Sequence, residues 1–102
     1  MNSIDAEQSV IGGLLISPVI PRVRATGLIS SDFSDVLLGK CYDHLISMFK
    51  EEEKIDILTT RDWIERKVGA SNDFTFDFLA SLSDNCAGIE NIEVYAKHIR
   101  TR

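Results

Sequence analysis

The chain has 102 residues, 44% of them hydrophobic, a size and composition that suit one compact domain with a single core. A nucleotide-driven motor or a two-domain dehydrogenase does not fit within these residues. Sixteen acidic and eleven basic side chains give a net charge of −5, which opposes sequence-independent binding to a phosphate backbone. We therefore expect no nucleic acid as the direct ligand.

Two further features bear on the compartment. No stretch of about 18 apolar residues occurs, and the N-terminus lacks a basic segment followed by an apolar one, so we expect a soluble, cytoplasmic protein with no membrane contact. Cys41 and Cys86 lie far apart among apolar neighbours, which is typical of reduced, buried thiols rather than of a disulfide.

The first predicted helix covers residues 6–16, where apolar residues recur at spacings of three and four, with Asp5 or Ser3 as the cap. Gly12 and Gly13 lie inside it, although each glycine costs about 1 kcal/mol of helix stability relative to alanine. We interpret them as positions of close contact with another helix. Overpacking predicts that Gly13→Leu destabilises the fold by roughly a few kcal/mol.

A short helix and a long helix follow. Ser17 and Pro18 predict a helix start, so the short helix covers residues 19–26, is limited by Pro21 and stops at Gly27. Phe33 is a predicted core anchor before the long helix over residues 35–52. The apolar stripe of the long helix consists of Leu37, Leu38, Cys41, Tyr42, Leu45, Ile46, Met48 and Phe49. A stripe this broad faces more than one neighbour.

Three more helices are predicted after the solvated acidic run at residues 51–53. One begins at Asp56 or Thr59 and ends at Gly69, and a turn follows at residues 70–73. The next is a short helix whose apolar face comprises Phe74, Phe78, Leu79 and Leu82. After a break at residues 85–88, the last helix runs from Ile89 to the end with no closing signal, as if cut within an element. The pattern predicts an all-α bundle of five to six short helices.

No catalytic or cofactor site is apparent in the sequence. The triplet Gly39-Lys40-Cys41 lacks the first glycine and the hydroxyl of a phosphate loop, so we expect no nucleotide or other cofactor. His44 and His98 are far apart without a metal-binding spacing, and we interpret them as surface residues. The paired carboxylates lie in hydrophilic stretches where water keeps them ionised. We therefore expect no enzymatic activity in this chain.

The apolar stripes are wider than a domain of this size buries easily, which favours association. Trp63 and Arg66 lie on an otherwise charged helix, and both residue types are enriched at interface hot spots. Trp63 is therefore a candidate for a partly exposed interface anchor, and an equally weighted alternative places it at the edge of the core. The last helix contributes three further interface candidates, Ile92, Tyr95 and Ile99.

Residues 5–15, which read DAEQSVIGGLL, closely resemble the opening of the N-terminal domain of DnaB-type replicative DNA helicases. Further matching pieces follow in order: Asp32-Phe33, Ile55-Asp56 leading to Arg66-Lys67, residues 78–82 with Asn85, and residues 91–96. The resemblance spans essentially the whole chain. The first and last of these motifs are its most specific parts.

The resemblance implies an all-α head at residues 1–88 and the start of a helical hairpin at residues 89–102. It also implies that the ATPase motor, with its ATP and magnesium, lies outside these residues. In such helicases the domain forms a collar of paired subunits on a hexameric ring and docks primase, so the expected partners are other copies of the chain and a primase or helicase loader. DNA is then held mainly by the absent motor.

The sequence departs from the family pattern at three places. Ser34 and the following residues replace a usual proline and histidine segment, Lys54 replaces a proline, and Ala87-Gly88 replace a Pro-Ser pair. These departures indicate a divergent member, for example from a phage or plasmid, with its own primase or loader.

Two other functions compete with the collar. One is a free-standing helical adaptor or inhibitor that mimics the helicase collar. The other, weaker, is a helical DNA-binding module that uses basic clusters at Arg22/Arg24 or at Arg61/Arg66/Lys67. Those clusters hold few positive charges against the acidic remainder.

Overall fold

A computed structural model describes residues 2–70 and 73–101. Its elements are α1 (Ser3–Ile16), α2 (Ile20–Arg24), a 3-10 turn (Ser30–Asp32), α3 (Val36–Lys50), α4 (Ile57–Val68), α5 (Phe76–Asp84) and α6 (Ile92–Thr101). No strand occurs within these two ranges, so the prediction of an all-α bundle of short helices is confirmed.

The central element is α1, which contacts α3, α4, α5 and α6 and buries nine of its 14 residues. It begins at Ser3, and the side chain of Asn2 caps it by accepting a hydrogen bond of 2.8 Å from the Ile4 amide. The predicted caps, Asp5 and Ser3, were therefore wrong. Asparagine is as good a cap as aspartate or serine, and the earlier start adds a turn to the helix.

Both glycines of α1 lie at close helix contacts. A Cβ atom on Gly12 would lie 2.0 Å from the carbonyl oxygen of Leu82 in α5, and one on Gly13 would lie 2.8 Å from Cδ1 of Ile92 in α6. The backbones of α1 and α5 therefore meet at a distance that only glycine permits at position 12.

The short helix α2 starts later than predicted. Ser17 is extended and donates its amide to the Gly13 carbonyl at the end of α1, so it does not cap α2. Pro21 lies in the first turn of α2, where a missing N–H costs little, and the helix is short, as predicted. Gly27, with φ +88°, takes the left-handed conformation at the turn after α2, as expected of a glycine that follows a helix.

The long helix α3 begins after Asp35, whose carboxylate accepts a hydrogen bond of 3.1 Å from the Leu38 amide. Its predicted stripe was wrong at one position. Met48 is fully buried, whereas Phe49 is 39% exposed. Neighbouring residues of a helix point about 100° apart, so a wide stripe does not decide which of two adjacent residues faces the core.

Both predicted start residues of α4 act together, because Asp56 and Thr59 form a capping box with reciprocal hydrogen bonds of 2.8 Å. The helix ends at Gly69, as predicted. The predicted turn at 70–73 includes residues 71 and 72, which lie outside the described ranges. Phe74 precedes α5 but is buried like the helix's own apolar residues, and α6 begins at Ile92, three residues later than predicted.

Candidate protein-interaction surface

Glu7 is a fully buried carboxylate that joins α1 to the start of α3. It accepts hydrogen bonds from the Ser34 hydroxyl (2.6 Å), the Ser34 amide (3.1 Å), the Asp35 amide (3.0 Å) and the Ser3 hydroxyl (3.0 Å). Burial by itself raises the pKa of Glu7, but these donors outweigh it and hold the pKa below its ordinary value of 4.5. The ionised form therefore stabilises the fold.

No individual role for Glu7 was predicted from the sequence, where it is only a member of the 5–15 motif. Its partners Ser34 and Asp35 lie 27 and 28 residues away, so local periodicity carries no sign of these contacts. The one available signal is a carboxylate in the first turns of a helix whose later residues are almost all apolar.

Several basic side chains are engaged by carboxylates. The guanidinium of Arg22 binds Glu93 in a two-point contact, with Nε 3.0 Å from Oε2, and this pair links α2 to α6. The hydrogen bond from Arg22 lowers the pKa of Glu93. Arg66 binds Asp62 at 3.0 Å and Lys67 binds Glu51 at 3.4 Å. Both basic clusters considered for DNA binding are thereby partly neutralised.

Trp63 is not a partly exposed anchor, since only 5% of it is accessible. It lies where α4 packs on α3, and its indole N–H donates to Oε1 of Glu51 at 3.4 Å. The ring of His44 lies 5.6 Å from the Trp63 ring and 5.6 Å from the Phe74 ring. The alternative interpretation, a residue at the edge of the core, is the one that this burial supports.

His44 was wrongly interpreted as a surface residue. It is half-buried within this aromatic group, and burial lowers its pKa because the charged imidazolium loses water. His98 on α6 is also half-buried. The tertiary fold brings Trp63 and Phe74 next to His44, and both lie far from it in the sequence. The polar sequence neighbours of His44 therefore led to a wrong prediction.

The three α6 candidates fall into two groups. Ile92 and Ile99 are almost fully buried against the rest of the domain, so they are core residues of this chain and not an exposed interface. Tyr95 is half-buried at the edge of the core, and Arg66 on α4 is exposed beside Asp62. An interface role for Tyr95 and Arg66 stays a prediction.

Both cysteines carry free thiols in the structure. Cys41 is completely buried, and this burial raises its pKa to about 12, so the thiol is protonated at neutral pH. Cys86 is only partly buried and lies beside α1 near Gly13. The expectation of a buried, reduced thiol is confirmed for Cys41, and Cys86 is more accessible than expected.

An open pocket of about 280 Å³ lies between the end of α1 and the end of α3, and we call it the apolar groove. Its apolar lining consists of Leu14, Ile16, Pro18, Ile20, Phe49 and Ile55. Ile16 is 55% exposed and Phe49 39% exposed, so large apolar side chains reach the solvent at its rim. Glu53 and Lys54 complete the lining and place charge at its edge.

Across residues 2–70 and 73–101, no group of three or more histidine, cysteine or acidic residues is placed to hold a metal ion. Within the same ranges, no helix has the length and apolar character needed to cross a bilayer.

The fold and these contacts define a helical domain organised around one central helix, in which α1 is joined to α3 by a buried carboxylate and packed closely against α5. The chain belongs to the family of the DnaB-like helicase N-terminal domain, whose sequence profile matches residues 1–101. The resemblance noted in the sequence is thereby confirmed.

Individual relatives agree with the family assignment. The chain is 30% identical over 101 residues to the replicative DNA helicase DnaB of Pasteurella multocida and 26% identical over 106 residues to the replicative DNA helicase DnaC of Bacillus subtilis. In both cases the match covers 22% of the relative, so the chain spans about a fifth of these helicases.

A solved structure has the same fold. The crystal structure of the N-terminal domain of DnaB helicase from Mycobacterium tuberculosis superposes with a TM-score of 0.86 at 26% identity, covering 95% of this chain and 70% of that one. The chain therefore corresponds in sequence and in fold to the N-terminal domain of replicative DNA helicases.

Proposed function

We propose that this chain is the collar domain of a hexameric replicative helicase, where it associates with other copies of itself and docks a primase or a helicase loader. The observation that carries the proposal is the match of residues 1–101 to the N-terminal domain family. The match to the replicative helicase of Pasteurella multocida covers only 22% of that protein, as expected for one domain of a longer helicase. On this proposal ATP, magnesium and DNA are handled mainly by a motor domain outside these residues, and the protein works in the cytoplasm.

The arrangement of α6 supports an association surface. Its inner face is held in the core through Ile92, Ala96 and Ile99, whereas Val94 is 56% exposed on the same helix and Tyr95 lies half-buried beside it. The helix is thus fixed to the domain by one side and presents apolar area on another. The start of a helical hairpin at residues 89–102 stays a prediction, and this geometry is compatible with it.

The engagement of the basic side chains favours protein partners over DNA. Arg22, Arg66 and Lys67 each have a carboxylate partner, and the whole chain carries a net charge of −5. Phosphate binding would have to compete with those pairs against an unfavourable overall field.

Light scattering on the protein that extends this chain through its motor domain, combined with titration of the C-terminal region of its cognate primase, tests the proposal. We expect a ring-sized assembly and saturable primase binding. Val94→Glu should weaken assembly without moving the urea midpoint of the 102-residue chain, because the side chain is already exposed. Leu58→Glu is the matched control, at 59% exposure on α4, and should leave assembly unchanged.

A strictly monomeric protein that binds neither primase nor loader would contradict the collar proposal. Disruption of a host helicase ring by the isolated chain in excess would favour the adaptor or inhibitor function instead. Binding of single-stranded DNA by the 102-residue chain at both low and moderate salt would favour the DNA-binding function.

A further inference from the structure

The charges of the domain are unevenly distributed. Residues 20–27 and 92–101, which form α2 with its following turn and α6, contain four basic side chains and one carboxylate. The other residues of the chain contain fifteen carboxylates and seven basic side chains. The net charge of −5 therefore conceals two elements whose own charge is positive.

Contacts at two points hold α2 and its turn beside α6. At one end, the guanidinium of Arg22 binds the carboxylate of Glu93. At the other end, a Cβ atom on Gly27 would lie 2.9 Å from Nε of Arg100, so the Arg100 side chain lies directly against the turn, where glycine leaves room for it. The two contacts involve positions 93 and 100 of α6, which are roughly 10 Å apart along the helix axis.

Three basic side chains of these elements are exposed and form no ion pair with any residue in the described ranges, namely Arg24, Lys97 and Arg100. Lys97 and Arg100 lie on the same face of α6 as Glu93, at the spacings of one and two helical turns. In the sequence of α2 and its turn, Arg24 lies between the two contact points. We call these three residues the basic face.

Neighbouring carboxylates do not cancel the charge of the basic face. The one carboxylate on α6 is already engaged by α2. Glu90 precedes α6, at the end of the helix opposite to Arg100. Asp43 lines a pocket together with Arg24, but Lys50 lines the same pocket and balances it. The basic face therefore keeps a positive local charge.

We propose that the basic face is a docking site for a short acidic segment of a partner protein, whose carboxylates bind Arg24, Lys97 and Arg100. Guanidinium groups suit this ligand because they pair with carboxylates through two parallel hydrogen bonds. The distance of roughly 10 Å between the two α2–α6 contacts matches about three residues of extended chain, at ~3.3 Å per residue.

The charge distribution favours a short acidic segment over DNA. At physiological ionic strength, charges more than about 8 Å away are largely screened, so a short segment responds chiefly to the basic face. A long polyanion would continue past this face onto the acidic remainder of the domain, which repels it.

This inference rests on the partner-docking part of the proposed function and supplies the chemistry of the partner. Assembly of the collar does not depend on it. If the acidic segment does not bind but the longer protein forms a ring, this inference alone fails. If the acidic segment binds but the longer protein is a monomer, the collar proposal alone fails.

The test uses two short synthetic peptides that differ only in carrying glutamate or glutamine at alternate positions, so that these side chains share one side of an extended chain. Each is titrated into the isotope-labelled 102-residue chain, and amide chemical shifts are followed by NMR. We expect the glutamate peptide to shift the amides of Gly27, Lys97 and Arg100, and the glutamine peptide to bind about tenfold more weakly. Added salt should weaken the glutamate peptide.

Variants separate the basic face from the overall charge of the domain. Arg24→Gln with Arg100→Gln should weaken the glutamate peptide about fivefold. Lys40→Gln with Lys54→Gln is the matched control, because both lysines are exposed, form no ion pair within the described ranges and remove the same total charge. This control should leave binding unchanged. Urea unfolding shows that each variant is folded.

Four results would overturn the proposal. The first is equal affinity of the two peptides, and the second is an equal loss of binding in the two double variants. The third is tighter binding of a single-stranded oligothymidylate than of the glutamate peptide with the same dependence on Arg24 and Arg100, which would make the face a phosphate site. The fourth is a set of shifts at the basic face that depends on protein concentration without peptide, which would assign it to contact between copies.

Discussion

Helices α1 and α4 differ in how much of each is buried and in the kind of contact that holds each in the domain. Nine of the 14 residues of α1 are buried, including a carboxylate and two adjacent glycines, and its backbone approaches that of α5. Only three of the 12 residues of α4 are buried, and Leu58 and Val68 on it are 59% and 62% exposed. Small residues and directed hydrogen bonds position α1, whereas large side chains such as Trp63 attach α4.

This contrast shows where the domain can vary. The α1 region tolerates little change because backbone atoms and a buried charge have no room to relax. The region of α4 leaves large apolar side chains exposed, so substitutions there should cost little stability. Substitutions in the two regions test that division.

Gly12→Ala should destabilise the domain by about 3 kcal/mol. The new Cβ would lie 2.0 Å from the carbonyl oxygen of Leu82, so α1 and α5 must separate, and the gain in helix propensity of about 1 kcal/mol does not offset this. Urea unfolding followed by circular dichroism measures the change. Gly13→Ala is the matched control and should cost less, because the clashing atom is the flexible end of Ile92. Equal midpoints for the two variants would contradict this account of α1.

Glu7→Gln should destabilise the domain by about 2 kcal/mol at neutral pH, because an amide group would face donors that now bind a carboxylate. The pKa of Glu7 is lower in the folded chain than its ordinary value of 4.5. Its ionisation therefore stabilises the fold above pH 4.5, and this contribution is lost as the pH falls through the folded pKa.

The pH dependence supplies the control for this variant. The stability difference between the natural chain and Glu7→Gln should shrink as the pH falls below 4.5, when measured by urea unfolding at a series of pH values. Glu65→Gln, at an exposed position of α4, should behave like the natural chain throughout. A difference that stays constant down to acidic pH would show that packing, and not ionisation, makes Glu7 important.

Glu52→Gly should stabilise the domain by about 1 kcal/mol, since glycine adopts the left-handed conformation without steric cost. Thermal unfolding measures the rise in Tm. Glu53→Gly removes the neighbouring carboxylate at a position without positive φ and should give no gain. A Tm that falls for Glu52→Gly would mean that the glutamate side chain stabilises the domain by more than its backbone strain costs.

Much of the helical layout was predictable because it depends on local signals. Asp35 and Asp56 are favoured caps directly before apolar periodic segments, and both begin helices. Gly27 and Gly69 end such segments and have positive φ. The start of α2 was misplaced because two prolines three residues apart both satisfy the rule for a first helical turn, and the chain uses Pro21.

The candidate surface was less predictable because it is made by distant segments. The apolar groove combines the end of α1 with the end of α3 and the loop before α4, and no sequence period relates them. Tertiary packing also decided between the two interpretations of Trp63, and it buried Ile92 and Ile99 against the rest of the domain. The charge state of Glu7 depends on amides at the start of α3, which the sequence around residue 7 does not contain.

The position of Trp63 gives the protein an internal optical reporter. It is the only tryptophan in the sequence, and it lies at the contact of α4 with α3, beside the ring of His44 and below the ammonium group of Lys67 at 6.0 Å. Its fluorescence emission therefore reports on the packing of the loosely attached helix α4, whereas circular dichroism averages over all helices. Where the two signals diverge along a denaturation curve, the difference measures how independently α4 detaches from the structure centred on α1.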